Sequence, residues 1–490
     1  MAIALYLIFQ APFPSEAASP PLPLSLSDAV AIALENNVAL MIERENIRLH
    51  ASNIMFEDAQ FDPALRLSIS SEKNIRGTAS SVETAFNTRK IILSTQRLGT
   101  GINQRLRWGG DLDLSLLQSR SSGTLQDLEQ VLRGETILTL SQPLLQGFGR
   151  RIVQGPLRIA KTEAGISEAD FRSKVSSLIL DISHAYWDLV FQRKNLLVKQ
   201  QSLQSARQLL DTNRAKVKLG LMAPIEILVA ESGAASREEA VLIAKEELED
   251  KEDELRLLLN LKEQSMSHPP TLLPTDAPIQ TKKAFTTKKV LESALSHRPE
   301  IEENLLKLQN SELRLELAED QLSPALDFVG KLGLNGLGGK YSDEVDQLRS
   351  MDFFRWEAGI VLRFPLGNRV AEARRQREKS ERNKARLVQT QVIQEVILET
   401  KKALRQVMTG FKRIETAQRA RHLSEKKLSA GQERFSLGLI NSNDLLKFQD
   451  ELADTRGKEL KAVIDYNKSL THLERVTGTL IEKFGIETLS

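Results

Sequence analysis

The six histidines, at positions 50, 184, 268, 297, 422 and 472, are where a metal centre would start, and none stands at ligand spacing from another. No His-Glu-x-x-His pair occurs. His184 lies beside Tyr186 and Trp187 on a long helix, which points to packing or solvent exposure. Cysteine is absent, and with it disulfides, thiolate metal sites, a cysteine nucleophile and a lipidated N-terminal cysteine. Gly147-Phe148-Gly149 and Gly336-Leu337-Gly338-Gly339 lack the spacing of a phosphate-cradling loop. The first reads as a strand-to-helix joint and the second as an exposed loop. The acidic run Glu246-Glu247-Leu248-Glu249-Asp250-Lys251-Glu252-Asp253 reads as a solvated helix face. These residues assemble no catalytic, cofactor-binding or metal site.

A turn, by contrast, occurs twice. Leu219-Gly220-Leu221-Met222-Ala223-Pro224-Ile225-Glu226 is echoed by Leu437-Gly438-Leu439-Ile440-Asn441-Ser442-Asn443-Asp444. In each copy a glycine is followed by leucine, and an acid stands six residues beyond it. Glycine ends a helix in the left-handed conformation without a Cβ clash. An acid in the first turn of the next helix meets the positive end of its dipole. One copy alone would be a well-made helix turn. The duplication makes Leu219, Gly220, Leu221 and Glu226, with Leu437, Gly438, Leu439 and Asp444, a candidate functional site.

Long helices must position these turns. From Pro156 to Leu221 no proline intervenes, and Val175, Ile182, Leu189, Leu196, Leu203, Leu210 and Val217 recur every seven residues. That is the seam of a helix wrapped against neighbours; about 65 residues at ~1.5 Å each make a rod of roughly 100 Å. An antiparallel return runs from Pro224 to about Glu263 and ends in the linker Ser267-His268-Pro269-Pro270-Thr271. Val370 to Leu439 and Asn443 to about Phe484 repeat the pair. The second seam is weaker, with Thr400 and Arg421 among Ile393, Val407, Ile414 and Leu428.

The repeat extends further back. Ser27 to Asn37 reads as a short helix, Val38 to Ala59 as a second, and Ala64 to Ser70 as an alternating strand after Asp62-Pro63. Ala33-Leu34 returns 261 residues on as Ala294-Leu295, and Pro63 returns as Pro324, so the chain is two tandem halves of one plan. Each half has a second strand segment, ending in Gln142-Pro143-Leu144-Leu145 and in Phe364-Pro365-Leu366. The first half carries 261 − 222 = 39 surplus residues, because Pro143 and Pro365 are only 222 apart. The surplus holds a further hairpin, Gly101 to Trp108 and Asp111 to Ser119 around Gly109-Gly110. The rest of 72–133 reads as a long exposed loop.

Bulk properties narrow the class. The chain has 490 residues, 27% charged and only 5% aromatic, which suits amphipathic helices better than a compact aromatic core. A net charge of +2 gives no field for nucleic acid. Met1 to Phe9 is apolar and Ala17-Ala18-Ser19 is small, a secretory-signal pattern without its basic start. No other run reaches 18 apolar residues, so any membrane crossing must be made by strands.

Taken together, the tandem halves, the strands with Gln142-Pro143-Leu144-Leu145 and the paired Leu-Gly-Leu tips resemble the TolC family of outer-membrane channels, over about residues 24–485. The resemblance implies a mainly α fold with β. Tandem long helical hairpins would form a periplasmic α-barrel, and four strands per protomer would enter a shared twelve-stranded trimeric barrel in outer-membrane lipid. It divides the chain into a signal peptide (1–19), linker and equatorial helices (20–62), a β segment with extracellular loop (63–146) and a hairpin (147–266), then the same parts again at 267–323, 324–366 and 367–485. Gly336 to Gly339 would fall in the second extracellular loop. The implied function is an exit duct for efflux or type I secretion, without cofactor or catalysis. It would be a homotrimer joined at its tips to a periplasmic adaptor and, through it, to an inner-membrane pump of RND or ABC type. Trp108 and Trp356 are candidate membrane-interface aromatics. The family's acidic ring ahead of the second tip, three and six residues before the position of Phe435, is replaced by Gln432 and Ser429, and Glu433 should face about 100° away; no acidic gate is expected. A non-pore coiled-coil scaffold or adaptor is the alternative the heptads alone would also satisfy.

Overall fold

The computed structural model describes residues 21–78, 90–124, 130–261 and 271–486. The signal-like segment 1–19, and with it Ser267 to Pro270 of the linker, lies outside the described residues. In chain order the first half gives β1 (Leu22–Leu24), α1 (Leu26–Asn36), α2 (Val38–Ala59), β2 (Ala64–Gly77), β3 (Lys90–Arg105), β4 (Asp111–Gly123), β5 (Val131–Pro143), α3 (Arg150–Val153), α4 (Gly155–Lys218) and α5 (Ile225–Leu259). The second half gives β6 (Leu272–Pro274), α6 (Thr287–His297), α7 (Pro299–Asp320), β7 (Ala325–Gly338), α8 (Tyr341–Ser350), β8 (Phe354–Arg363), α9 (Arg369–Ser436), α10 (Ser442–Val476) and α11 (Leu480–Lys483).

The duplication is visible in the element bounds. The pair α6 and α7 begins and ends 261 residues after α1 and α2, and α5 and α10 are each 35 residues long. Ala33 and Ala294, the landmarks of the repeat, are both fully buried. The cap of α1 is Ser25: its hydroxyl accepts from the Asp28 N–H, and the Asp28 carboxylate accepts from the Ser25 N–H, closing a capping box two residues earlier than Ser27.

The chain divides into two compact units. Of the described residues, the first takes those up to Arg44, those within Asp170–Ile301 and those from Val392. Within it β1 and β6 pair in parallel. Tyr186, fully buried, donates to the Leu24 carbonyl and the Asp276 carboxylate, and Tyr466 donates to the Thr281 carbonyl. Of the first heptad series, Val175, Ile182, Leu189, Leu203 and Leu210 are buried. The second seam tolerates its polar members by local satisfaction. Thr400 is buried but donates to the Val396 carbonyl one turn back, and Arg421 pairs with Glu425 and Glu459.

The second unit, Glu45–Ala169 with Glu302–Gln391, holds a six-stranded antiparallel sheet of order β2-β3-β4-β5-β7-β8. The sheet holds two strands more than the four per protomer that the resemblance implies for the barrel. It also corrects the loop reading of 72–133 for the described residues, most of which are strand; 79–89 and 125–129 lie outside them. The β3–β4 hairpin is an integral part of the sheet, longer than its sequence pattern suggested. Polar residues fill one face of these strands, so their mean hydropathy reads as loop. Gly336 and Gly338 are likewise not loop residues. They lie in β7 beneath α8, where a Cβ on Gly336 would stand 2.4 Å from the Glu344 carbonyl oxygen; the glycines let a helix rest on the strand.

Candidate functional site

At the first tip, α4 ends in a left-handed cap. Gly220 has φ +71°, the Gly220 N–H donates to the Val217 carbonyl and the Leu221 N–H to the Lys216 carbonyl. At the second, Gly438 has φ +73°, its N–H donates to Phe435 and that of Leu439 to Arg434. Both are Schellman caps, with the same two bonds on the same relative residues. A Cβ at either glycine would meet open space, so the positive φ and not crowding calls for glycine.

Below the caps lies a cluster built from both hairpins: Ala206, Leu209, Leu210, Ala230, Ala234, Phe435, Leu445 and Leu446. Lys216 lies over the Phe435 ring at 4.6 Å. Above them the leucines are left out: Leu219 and Leu221 are each 73% exposed, Leu437 74% and Leu439 64%, with Ile225 and Leu228 also exposed. Four leucines projecting from two turns would be costly to leave in water permanently.

The two tips are joined by polar bonds that sequence reasoning did not find. Asn213 on α4, fully buried, donates through Nδ2 to the Glu226 carbonyl at 3.0 Å and to the Ser442 hydroxyl at 2.8 Å. The Glu226 carboxylate accepts from the Ser442 N–H at 3.0 Å. Glu226 therefore caps the helix of the other hairpin, α10, as well as standing in the first turn of its own. Asp444 plays a different part: its N–H is capped by the Asn441 side chain at 2.9 Å. Farther from the caps, Arg237 is buried, which draws its pKa down. It donates to Ser202, the Gly233 and Leu446 carbonyls and Asp450, tying α4, α5 and α10. The available signal was position: Asn213 falls three residues after Leu210, on the apolar stripe. Where the family has its acidic ring, Ser429 and Gln432 are exposed, as is the adjacent Glu433, while the reference residue Phe435 is buried in the core.

The sheet of the second unit has two unlike faces. Directly paired residues share a face, and one row runs Leu65, Ile102, Leu114, Leu138, Leu332, Trp356 across all six strands. Every one of these side chains is exposed. The adjacent row is Leu67, Thr100, Leu116, Thr136, Leu334, Phe354. On the opposite face lie Arg66, Gly101, Ser115, Ile137, Gly333 and Arg355, then Asn103, Asp113, Thr139, Lys331 and Glu357. Lys331 pairs with Glu357 at 3.3 Å and Arg97 with Glu72 at 2.9 Å. One face is largely apolar and exposed, with α8 lying over its Gly134–Gly336 end, and the face behind it is charged and hydrogen-bonded; the division matches lipid and water. Trp356 lies on the apolar face and Trp108 in the turn between β3 and β4, toward the other end of the strands. Both are about half exposed or more.

Among the described residues, one histidine pair is brought together. His184 and His472 line a cavity of about 800 Å³ in the first unit with Lys402, Arg405, Arg413, Asp465 and Lys468. Burial lowers the pKa of both imidazoles. The surrounding cations oppose a metal ion there. No helix among the described residues is long and apolar enough to cross a membrane, and the apolar surface belongs to the sheet.

Duplicated helical hairpins with shared tips, joined in one chain to a sheet with a lipid face and a water face, define an outer-membrane channel protein with a periplasmic extension. The chain matches the outer membrane efflux protein family over residues 29–261 and 290–479 and belongs to it. Among solved structures it is similar in fold to the outer-membrane channel CmeC of Campylobacter jejuni, at 17% identity and TM-score 0.66, covering 93% of this chain and 86% of that one. The outer-membrane protein VceC of Vibrio cholerae gives 15%, 0.65, 92% and 96%. The outer-membrane channel MtrE of Neisseria gonorrhoeae, in its open state, gives 16%, 0.64, 93% and 89%. No functionally curated protein matches the chain by sequence. Family membership sets aside the pore-less scaffold.

Proposed function

We propose that this outer-membrane efflux channel is a passive exit duct, assembled as a homotrimer. Its sheets line the outer-membrane pore, its long hairpins line the periplasmic conduit, and its tips receive a periplasmic adaptor that joins it to an inner-membrane pump of RND or ABC type. The observation that carries this reading is the row of six exposed apolar residues, Leu65 to Trp356, backed by a polar face. A surface of that kind is stable only in lipid, and a lone sheet cannot cross lipid with open edges. The tips support the adaptor half: Leu219, Leu221, Leu437 and Leu439 are apolar anchors on a rigid, cross-bonded base. Trp108 and Trp356 would mark the two membrane interfaces.

Negative-stain microscopy of the detergent-purified protein tests the assembly. A three-fold tapered tube on the order of 100 Å or more, the length its helices require, is expected. Compact or flexible monomers would overturn the duct.

A further inference from the structure

We propose, resting on that trimeric reading, that the membrane barrel has eighteen strands, with β8 of each copy pairing antiparallel to β2 of the next. Four observations lead there. Among the described residues each interior strand is hydrogen-bonded on both sides, whereas β2 and β8 have one partner each, and every residue of both is exposed. Such edges cannot stay open in hydrocarbon.

The directions also allow closure. All five pairings are antiparallel and the strand number is even, so β2 and β8 run opposite ways. A ring of identical copies then closes antiparallel throughout, and three copies of six give eighteen strands.

The edges agree chemically. Leu65, Leu67 and Ile69 of β2 share the apolar face with Phe354, Trp356, Ile360 and Leu362 of β8. On the other face β2 offers Arg66 and Glu72, and β8 offers Arg355, Glu357 and Arg363. Joining them continues both surfaces without a break.

Finally, the surplus hairpin is structural. β3 pairs with β2 from Ala64 to Gly77 and with β4 from Leu93 to Arg105, and the two strands supply Leu98, Ile102, Leu112, Leu114 and Leu116 to the lipid face. Withdrawing them would strip that face and expose two new edges.

The consequence is width. With strands ~4.8 Å apart and tilted about 40°, eighteen give a backbone radius of roughly 18 Å, against about 12 Å for twelve. Sixteen to eighteen strands leave an open aqueous channel, so the membrane section would impose little size selection on cargo.

Electron cryomicroscopy of the full chain in nanodiscs reads the strand number directly. Eighteen strands in a three-fold particle are expected. A three-fold particle with twelve strands and β3–β4 folded aside would overturn this inference and leave the duct intact, and the absence of a three-fold particle would overturn both. Because the chain has no cysteine, a paired variant gives an independent reading in native membranes. Ser70 and Arg97 are directly opposed on β2 and β3, so Ser70→Cys with Arg97→Cys should form an intrachain disulfide in assembled trimers. Trimers that stay reduced under oxidant would show that β3 does not flank β2 in the barrel.

Discussion

Replacing Gly438 by valine isolates the backbone contribution of the tip. The glycine sits at φ +73° and a Cβ there meets no atom within 4 Å, so the substitution introduces strain without a clash. An L side chain in the left-handed region costs about 1–2 kcal/mol, and a β-branched one approaches about 3 kcal/mol. The two cap bonds, from Gly438 to Phe435 and from Leu439 to Arg434, are worth about 0.5–1.5 kcal/mol each. Strain and cap are therefore of similar size, and the turn should remodel while the cluster around Phe435 and Leu446 stays folded. A loss of about 2 kcal/mol depopulates the native turn up to roughly 30-fold. Asparagine tolerates the same region, so Gly438→Asn should behave nearly as wild type. The assay is efflux complementation in cells with matched trimer levels, with adaptor cross-linking yield as a second readout. We expect a marked loss for Gly438→Val, the same for Gly220→Val, and little for the asparagine variants. Full efflux in both valine variants at normal trimer level would refute the assignment of these turns as the docking tips.

Three further outcomes follow from particular contacts. Leu138→Arg, on the lipid face, should cost about 2–4 kcal/mol of insertion stability near the membrane midplane, whereas the adjacent Thr139→Arg, on the polar face, should leave heat-modifiable trimers at wild-type level; equal effects would refute the face assignment. Asn213→Leu removes two donors to Glu226 and Ser442 and should cost about 1–3 kcal/mol, seen as faster hydrogen exchange around both tips and partly repaired by adding Ser442→Ala; unchanged exchange would show that the tips are not coupled there. Burial by itself would raise the Glu300 pKa, but Arg298 and Arg475 outweigh it and hold the carboxyl below its usual range. A depressed pKa makes its contribution complete above the unfolded value, near pH ~4.3, and lost as pH falls through the folded one. Resistance to urea should therefore hold from pH 7 to about 5 and drop below about 4, with a shallower drop in Glu300→Gln; the same slope in both would refute the attribution.

Much of the helical half was legible because its signals are local. A seven-residue apolar period, Gly220 and Gly438 at helix ends, and a 261-residue repeat need no knowledge of distant contacts. The sheet was harder. Leu112, Leu114 and Leu116 alternate clearly, but β2 and β3 carry serine, arginine and glycine on their water face, and their average reads as loop. Gly336 and Gly338 look like punctuation until α8 is laid upon them. At the tips, Asn213 and Ser442 are 229 residues apart in sequence and 2.8 Å apart in space, and no local pattern links them.

The sequence by itself thus determined the tandem plan, the long hairpins, the turns with their left-handed glycines and, among the described residues, the lack of a helix long and apolar enough to span a membrane, all consequences of short-range sterics and periodicity. Only the tertiary structure decided that six strands share one sheet, that Leu65 and Trp356 end a single apolar row, and that Glu226 caps the neighbouring hairpin. Strand pairing and cross-helix hydrogen bonds join residues whose separation along the chain carries no trace of their contact, because the free energy that pairs them arises only once the backbone has brought them together.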